Sequence, residues 1–302
     1  MSARRAIPEG ARREARAAWI FLTPALGLIG VFFALPVLAG LALSFTDFDI
    51  YAIADPSTAR AIAFENYRAV LANPLFWKAL GNTFYFVLVA GPLSVGVSLG
   101  AALLVHARAT RLRGLFRTIY FVPVVTTLVA VAIVFRYLEH PRYGLVNYVL
   151  GLVGVPPVDW LGDPHFAMPA IVLLAVWKNF GYNMLIFIAG LSNIPEEQYE
   201  AARLDGASWW EQFRNVTLPN LMPTFLFVIL ITMLGNFQIF AEPYVMTQGG
   251  PLRATTTVVL LMYEEGFRWW RMGLAAAIAF VLFVIMLAGT LIQLRLTRER
   301  PS

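Results

Sequence analysis

A single lysine, Lys178, lies deep within the long apolar run Phe166–Ile194, and its polar neighbours are two amides and a phenol. Asn179 and Asn183 stand four residues apart and share one face of a helix, while Lys178 and Tyr182 share the neighbouring face. In the later run Val216–Ala241 the polar residues at depth are Asn236 and Gln238, with Glu242 nearer its outer end. A charge placed inside an apolar run is functional by default. Amides and hydroxyls in such runs have two uses: they hold a polar solute by hydrogen bonds, or they fasten one helix to the next. Lys178 likewise can serve a solute, or pair with a backbone carbonyl or with an acid of a partner chain. The residues alone leave both uses open.

Bond-breaking chemistry finds little to work with. There is no cysteine, so there is no disulfide framework, thiolate metal site or catalytic thiol. His106, His140 and His165 lie far apart and show no ligand spacing, so no metal site is expected. Nucleotide hydrolysis through a phosphate-binding loop needs GxxxxGK[ST], but the only lysines, Lys78 and Lys178, each follow a tryptophan. The runs hold no paired acids or histidines, which argues against intramembrane proteolysis and against a proton-coupled carrier. No cofactor is expected on this chain.

The elements that must position these groups are membrane spans. The 302 residues are 59% hydrophobic and only 14% charged, outside the range of soluble domains. Six runs are uncharged or nearly so: Ala17–Thr46, Ala79–Val105, Thr118–Phe135, Phe166–Ile194, Val216–Ala241 and Met272–Leu294. About 20 apolar residues cross a bilayer, so the runs predict an all-α protein with six transmembrane helices. The first is too long for the ~7–15-residue core of a cleaved signal, so it reads as a span. Thr118–Phe135 is the shortest, and Arg117 and Arg136 at its ends can snorkel. The net charge of +5 belongs to the ends of these runs, which fits orientation in a membrane better than nucleic acid. Arg4, Arg5, Arg12, Arg13 and Arg16 before the first span, and Arg108, Arg111, Arg113 and Arg117 after the second, place both termini inside. The organisation is then an inside tail (1–16), a six-helix domain (17–294) and an inside tail (295–302).

Outside loops read as punctuation. Asp47–Trp77 has room for a helix around Glu65–Leu71, and Pro141–Pro164, rich in Gly and Pro, should be irregular or briefly helical. Trp160, Trp269 and Trp270 suit the membrane interface. Gly96 and Gly100 form a small-xxx-small pair suited to close helix packing. Gly249-Gly250-Pro251 is a tight turn.

One inside loop, 193–220, is built rather than merely solvated. Pro195 is placed as a first helical residue, with Glu196 and Glu197 in the first turn and Asp205-Gly206 at the end. Ser208-Trp209-Trp210-Glu211 is a capping-box pattern, so a second short helix starts there and Pro219 closes it. Glu200 is free to hold Arg203, three residues on, or a basic residue of a partner. Two capped short helices at a turn make a docking surface.

The loop also carries a resemblance. Glu200-Ala201-Ala202, then Asp205-Gly206, then Val216, Leu218 and Pro219 resemble the cytoplasmic "EAA" loop of permease subunits of binding-protein-dependent ABC importers, carbohydrate-uptake branch. Gly81-Asn82-Thr83, Arg117–Pro123, Trp177-Lys178 and Thr247–Pro251 are similar to blocks of the same family in the same order. The resemblance implies an inner-membrane subunit, without an ATPase site, forming half of a path for a sugar or sugar-like solute: oligosaccharide, monosaccharide, polyol or glycerol phosphate. It further implies a second related permease, two ATP-binding subunits that bind ATP and Mg, and an extracytoplasmic solute-binding protein. Glu200, Ala201, Ala202, Asp205, Gly206, Leu218 and Pro219 would then meet the ATP-binding subunit, and Gly249-Gly250-Pro251 would face the solute-binding protein. Lys178, Asn179, Tyr182, Asn183, Asn236 and Gln238 would border the path. The rival classes are a stand-alone carrier or channel and a membrane scaffold; an ATPase that copurifies separates the importer from both.

The orientation has a direct check. Cysteines placed at Ser57 and Arg253 should label from outside with a membrane-impermeant maleimide, and cysteines at Arg111 and Ser302 should not. Labelling at Arg111 in intact cells would invert the topology.

Overall fold

The apolar runs become helices because a bilayer leaves no water for backbone groups, and helices satisfy those groups internally. The structure is a computed structural model that describes residues 9–106 and 112–298. The arginines read at positions 4, 5, 108 and 111, and the end of the carboxyl tail, lie outside the described residues. In order come α1 (Glu9–Ile29), α2 (Leu35–Leu43), α3 (Ile50–Ala54), α4 (Glu65–Ala72), α5 (Pro74–His106), α6 (Arg113–Val125), α7 (Leu128–Leu138) and α8 (Leu145–Leu152). They are followed by α9 (Ala167–Ser192), α10 (Glu196–Leu204), α11 (Trp209–Gln212), α12 (Leu218–Phe237), α13 (Ala241–Met246), α14 (Val258–Tyr263) and α15 (Met272–Arg298). One isolated bridge, Thr46–Ala61, is the only strand-like pairing among the described residues. The predicted helix near Glu65 is α4, and the short helix in the Pro141–Pro164 loop is α8.

Among the described residues five helices are long and apolar enough to span a membrane: Ala17–Leu43, Pro74–His106, Ala167–Ser192, Trp209–Phe237 and Met272–Arg295. The run expected to give the sixth span forms the pair Gly114–Val125 and Leu128–Leu138, bent by 96° and not straight.

The chain divides into two compact units. One consists of the residues to Val70 with Glu265–Phe280. Its first span has no residue buried within the chain, the condition of a helix solvated by lipid or by another subunit. After that span Phe45, Phe64 and Tyr67 pack ring to ring at 5.3–5.9 Å. Asn66 donates to the carbonyls of Ser44 (3.0 Å) and Thr46 (2.8 Å), which closes the loop over the span's end.

The other unit, Leu71–Glu264 with Val281 onward, is built on α5 and α9. Phe86, Ala90, Ile171, Leu174 and Ala175 meet in one apolar cluster with Val131, Ala132 and Phe135 of α7. Val95, Ala102, Met184, Phe187 and Leu221 form a second. The close helix approach is not at Gly96 and Gly100, where an added Cβ would meet nothing within 4 Å. Gly96 borders an apolar groove of about 410 Å³ between α5 and α12. Small residues permit close approach without supplying the neighbour. The approach occurs at Gly181 of α9, where a Cβ would overlap the Tyr120 carbonyl of α6.

The bend after α6 follows from its local sequence. Pro123 lacks an N–H, and Thr126 and Thr127 adopt extended conformations (ψ 151° and 132°), which β-branched residues tolerate well. The break orphans the last carbonyls of α6, and these must be satisfied. Thr126 Oγ1 donates to the Pro123 carbonyl at 2.6 Å. Lys178 Nζ reaches across from α9 to the carbonyls of Pro123 (2.7 Å) and Val124 (3.0 Å). Of the interfacial tryptophans, Trp160 is half-buried and donates to Asn147 Oδ1 (3.0 Å). Asn147 in turn donates to Pro141 and Val158, so this ring ties its loop together.

Removing the ammonium leaves the Val124 carbonyl without its donor. Lys178→Met should therefore lower stability by about 1–3 kcal/mol, read as a fall in Tm of the detergent-solubilised protein, with Lys178→Arg restoring most of it. Equal Tm for Lys178→Met and the parent would mean that the carbonyls find another donor.

Candidate functional site: a cavity in the helix core and an exposed helical corner

A cavity of about 520 Å³ opens where the broken span turns. Its wall takes Phe86, Ala90 and Ser94 from α5, Val124 and Leu128 from either side of the bend, and residues of α9 and α12. The chain after α12 closes it with Gln238, Phe240 and Glu242. Five of the six polar residues read as a possible path border this one space: Asn179, Tyr182, Asn183, Asn236 and Gln238. They come together because α9 presents 179, 182 and 183 on successive turns of one face, opposite the end of α12. Lys178 lies on the adjoining face and is spent on the hinge carbonyls.

The polar groups of the wall are not equivalent. Asn183 Nδ2 donates to Thr232 Oγ1 at 3.0 Å, a fastening between α9 and α12. Asn236 Nδ2 is buried with no hydrogen-bond partner, and so is Ser94 Oγ, whose residue is 4% exposed. Glu242 is 9% exposed and is the one charged side chain of the wall. Ser94, Thr232 and Glu242 complete the site beyond the six candidates. Ser94 had a sequence signal, a hydroxyl in an apolar run with Ser98 one turn on; Thr232 looked like an ordinary β-branched residue.

The second feature is the corner formed by α10 and α11. Asp205 and Gly206 end α10 in a Schellman motif: Ala207 N–H donates to Ala202 (2.9 Å) and Gly206 N–H to Arg203 (3.1 Å), with Gly206 at φ +77°. The capping box at Ser208 is present, with Ser208 N–H donating to Glu211 at 2.7 Å. Three details differ from the sequence reading. Pro195 is the cap, and α10 begins at Glu196. Arg203 pairs with Glu196 at 2.9 Å and not with Glu200, because the seven-residue spacing spans two turns on one face. Pro219 does not close the second helix: a π turn, Phe213–Thr217, carries α11 straight into α12. The wider turn accommodates the ring and the missing N–H of Pro219, and the helix runs unbroken from Trp209 to Phe237.

Tyr199 and Thr217 share a hydrogen bond (3.0 Å), and Asn220 donates to Gln198 (2.8 Å), so α10 is tied to the foot of α12. Trp209 and Trp210 pack on Phe213 at 5.8 and 5.4 Å. Even so, Leu204 is 89% exposed, Trp209 68% and Trp210 59%. Glu200, Ala201, Asp205, Gly206 and Pro219 are exposed, and Ala202 and Leu218 are partly covered. The expected contact residues thus share one accessible corner.

The Gly249-Gly250-Pro251 turn is fastened to the start of α5. Asn82 donates to the carbonyls of Arg253 (3.0 Å) and Thr256 (2.9 Å), and Lys78 donates to Leu252 (2.7 Å). Val258 N–H donates to Thr83 Oγ1 (3.0 Å). Gly249 has φ +82°, as the tight turn requires, and Gly250-Pro251 is a cis peptide.

Residues 93–300 match the family described as binding-protein-dependent transport system inner membrane component. The lactose transport system permease protein LacF of Rhizobium radiobacter is 34% identical over 287 residues, covering 93% of this chain and 94% of that protein. The trehalose/maltose transport system permease protein MalF of Thermococcus litoralis is 33% identical, covering 95% and 96%. The sulfoquinovosyl glycerol transport system permease protein SmoG of Agrobacterium fabrum is 31% identical, covering 93% and 90%. Among solved structures, a chain of a bacterial alginate ABC transporter in complex with an alginate pentasaccharide-bound periplasmic protein shares the fold. Its TM-score is 0.82 at 21% identity, with 95% of this chain and 96% of that chain covered.

The two amides should separate by stability. Asn183→Ala breaks a bond between helices and should cost about 1 kcal/mol, seen as a lower Tm in detergent. Gln238→Ala, on the open wall, should leave Tm unchanged.

Proposed function

We propose, for a chain that belongs to the family of binding-protein-dependent transport system inner membrane components, that it forms one half of the path of an ABC importer for a sugar or sugar-like solute. The observation that carries this reading is the rigid, bare corner of α10 and α11 at the foot of a helix whose other end borders the cavity. Bare Leu204, Trp209 and Trp210 on a capped, cross-tied element are what a docking partner would cover. That partner is the ATP-binding subunit, present in two copies, which binds ATP and Mg. A second related permease completes the path, and an extracytoplasmic solute-binding protein delivers the solute near the Gly249-Gly250-Pro251 turn.

In this mechanism closure of the ATPase pair pushes the corner. Glu200, Ala201, Ala202, Asp205 and Gly206 receive the push, and the continuous helix carries it through Leu218 and Pro219 toward Thr232 and Asn236. The wall residues then change their spacing, and the solute is released inward. The chain contributes no hydrolytic site of its own. It sits in the bacterial inner membrane with both termini in the cytoplasm. The relatives' names span an uncharged disaccharide and a sulfonated glycoside, so family membership leaves the charge of the solute open.

Two sets of variants test this reading. Gly206→Val forces a side chain into positive φ at a cost of roughly 1–2 kcal/mol, and Glu200→Arg reverses the charge of the corner. Both should leave the permease inserted and lose solute-stimulated ATP hydrolysis in proteoliposomes. A cysteine at Ala202 should crosslink to the ATP-binding subunit. Normal transport by both variants with no crosslink would remove the importer reading. On the wall, Gln238→Ala should lower uptake several-fold with assembly and basal ATPase intact.

A further inference from the structure

We propose that α8, in the loop between α7 and α9, is a membrane-interface anchor. Its bare apolar stripe lies along the headgroup–acyl boundary of the bilayer at that end of α7, neither spanning the membrane nor docking on a protein. The inference goes beyond the transport reading and holds whichever solute is moved.

Helical spacing builds the stripe. Leu145, Tyr148, Val149 and Leu152, with Val153 at the cap, stand at i, i+3, i+4, i+7 and i+8 and are 52–75% exposed. Asn147 is buried and Val146 and Leu150 are half-buried, so the opposite face is the one the chain covers. Exposed apolar side chains on a span are covered by lipid as a matter of course. On a loop helix they need an occupant of their own.

The display is rigid. Gly144 N–H donates to the His140 carbonyl (2.9 Å), and a Cβ at Gly144 would overlap the carbonyls of Leu138 and His140. The start of α8 is thereby pressed against the end of α7 at a set angle. The His140 ring stacks on Tyr143 at 3.6 Å. On the covered face Asn147 Oδ1 accepts from Val158 N–H (3.2 Å) and from the Trp160 indole (3.0 Å), which ties α8 to the returning chain. The stripe is therefore held open instead of collapsing onto its own loop.

Lipid suits this face better than the surface of a soluble partner. From Tyr143 to Val158 no side chain is charged, whereas interfaces between proteins in water keep a polar rim. Eight helical residues extend about 12 Å, far short of the ~30 Å hydrocarbon core, so α8 lies along the membrane and does not cross it. The stripe also continues an apolar surface already present on α7, where Val134 and Tyr137 are exposed. Tyr143 and Tyr148 have the amphipathic rings that settle at headgroup level. With no Lys or Arg on the stripe, binding rests on apolar burial and not on anionic headgroups.

The chain has no cysteine, so one introduced as Val149→Cys carries a single environment-sensitive dye. The assembled permease–ATPase complex is reconstituted in phosphatidylcholine liposomes, with and without phosphatidylglycerol, and read with and without the solute-binding protein. The dye should emit to the blue of its colour in water and resist aqueous iodide. Lipid spin-labelled near the glycerol end of its acyl chain should quench it several-fold more than lipid labelled near the methyl end. Phosphatidylglycerol and the solute-binding protein should change none of this. Leu152→Glu, one turn away, should raise iodide quenching several-fold; no rise in a protein of unchanged Tm overturns the role of the stripe, and should the variant not fold, the parent decides alone. Iodide quenching of the parent places the stripe in water and overturns the proposal. So does protection that appears only with the solute-binding protein, which makes the face its docking site. Protection from iodide and from both lipid labels means that another subunit covers α8, and stronger quenching by the deeper label means that it enters the core; either result overturns the proposal.

Discussion

One ammonium group makes the core of this protein possible. A transmembrane helix that breaks in its middle leaves carbonyls with no partner in a medium that offers no water. Lys178 supplies the partner across from α9, and Thr126 supplies a second donor from the break itself. With those bonds in place the two halves of the span can turn through 96°, and the turn is what makes room for the cavity. Gly181, three residues on, lets α6 come so near α9 that Lys178 can reach. A buried ammonium is thus accounted for by backbone oxygen, which a positive group suits as well as a carboxylate would.

The second constraint is mechanical continuity. A π turn in place of a break joins the corner to α12, so the bare surface at one end and the polar wall at the other belong to one helix. Cross-ties from Tyr199 to Thr217 and from Gln198 to Asn220 stop α10 from swinging independently. A surface that must pass on a displacement gains from this stiffness, since a loose loop would absorb the movement. The Gly249-Gly250-Pro251 turn follows the same logic, with Asn82, Thr83 and Lys78 gripping residues some 170 positions later in the chain. That turn is therefore held by side-chain bonds to backbone groups, which locate it without depending on the identity of the residues held, whereas the corner is held side chain to side chain.

The wall of the cavity divides labour between fastening and holding. Asn183 and Thr232 satisfy each other and hold two helices at a set distance. Ser94 and Asn236 keep unspent hydrogen-bonding groups, a costly state unless something else comes to use them. A buried polar group without a partner on the wall of a cavity is a place where a ligand can complete the structure.

Much of this was legible in the residues. Charge-free runs of bilayer length determined the spans, and local caps determined the corner: Gly206 at positive φ and the Ser208–Glu211 box depend only on neighbours in sequence. The clustering of Asn179 and Asn183 followed from helical periodicity alone, while Tyr182, read onto the neighbouring face with Lys178, joins them only in the fold. Other features were decided by tertiary structure. Whether Lys178 faced a solute or a carbonyl depended on a hinge 54 and 55 residues away. Whether Gly96 and Gly100 met another helix depended on where α12 lies, and it leaves a groove there. Arg203 chose Glu196 over Glu200, and Pro219 continued a helix it was expected to end, through the geometry of whole turns. Hydropathy and capping act over a few residues and can be read in order. The partner of a buried polar group is set by distance in space, and only the folded chain brings that partner within reach.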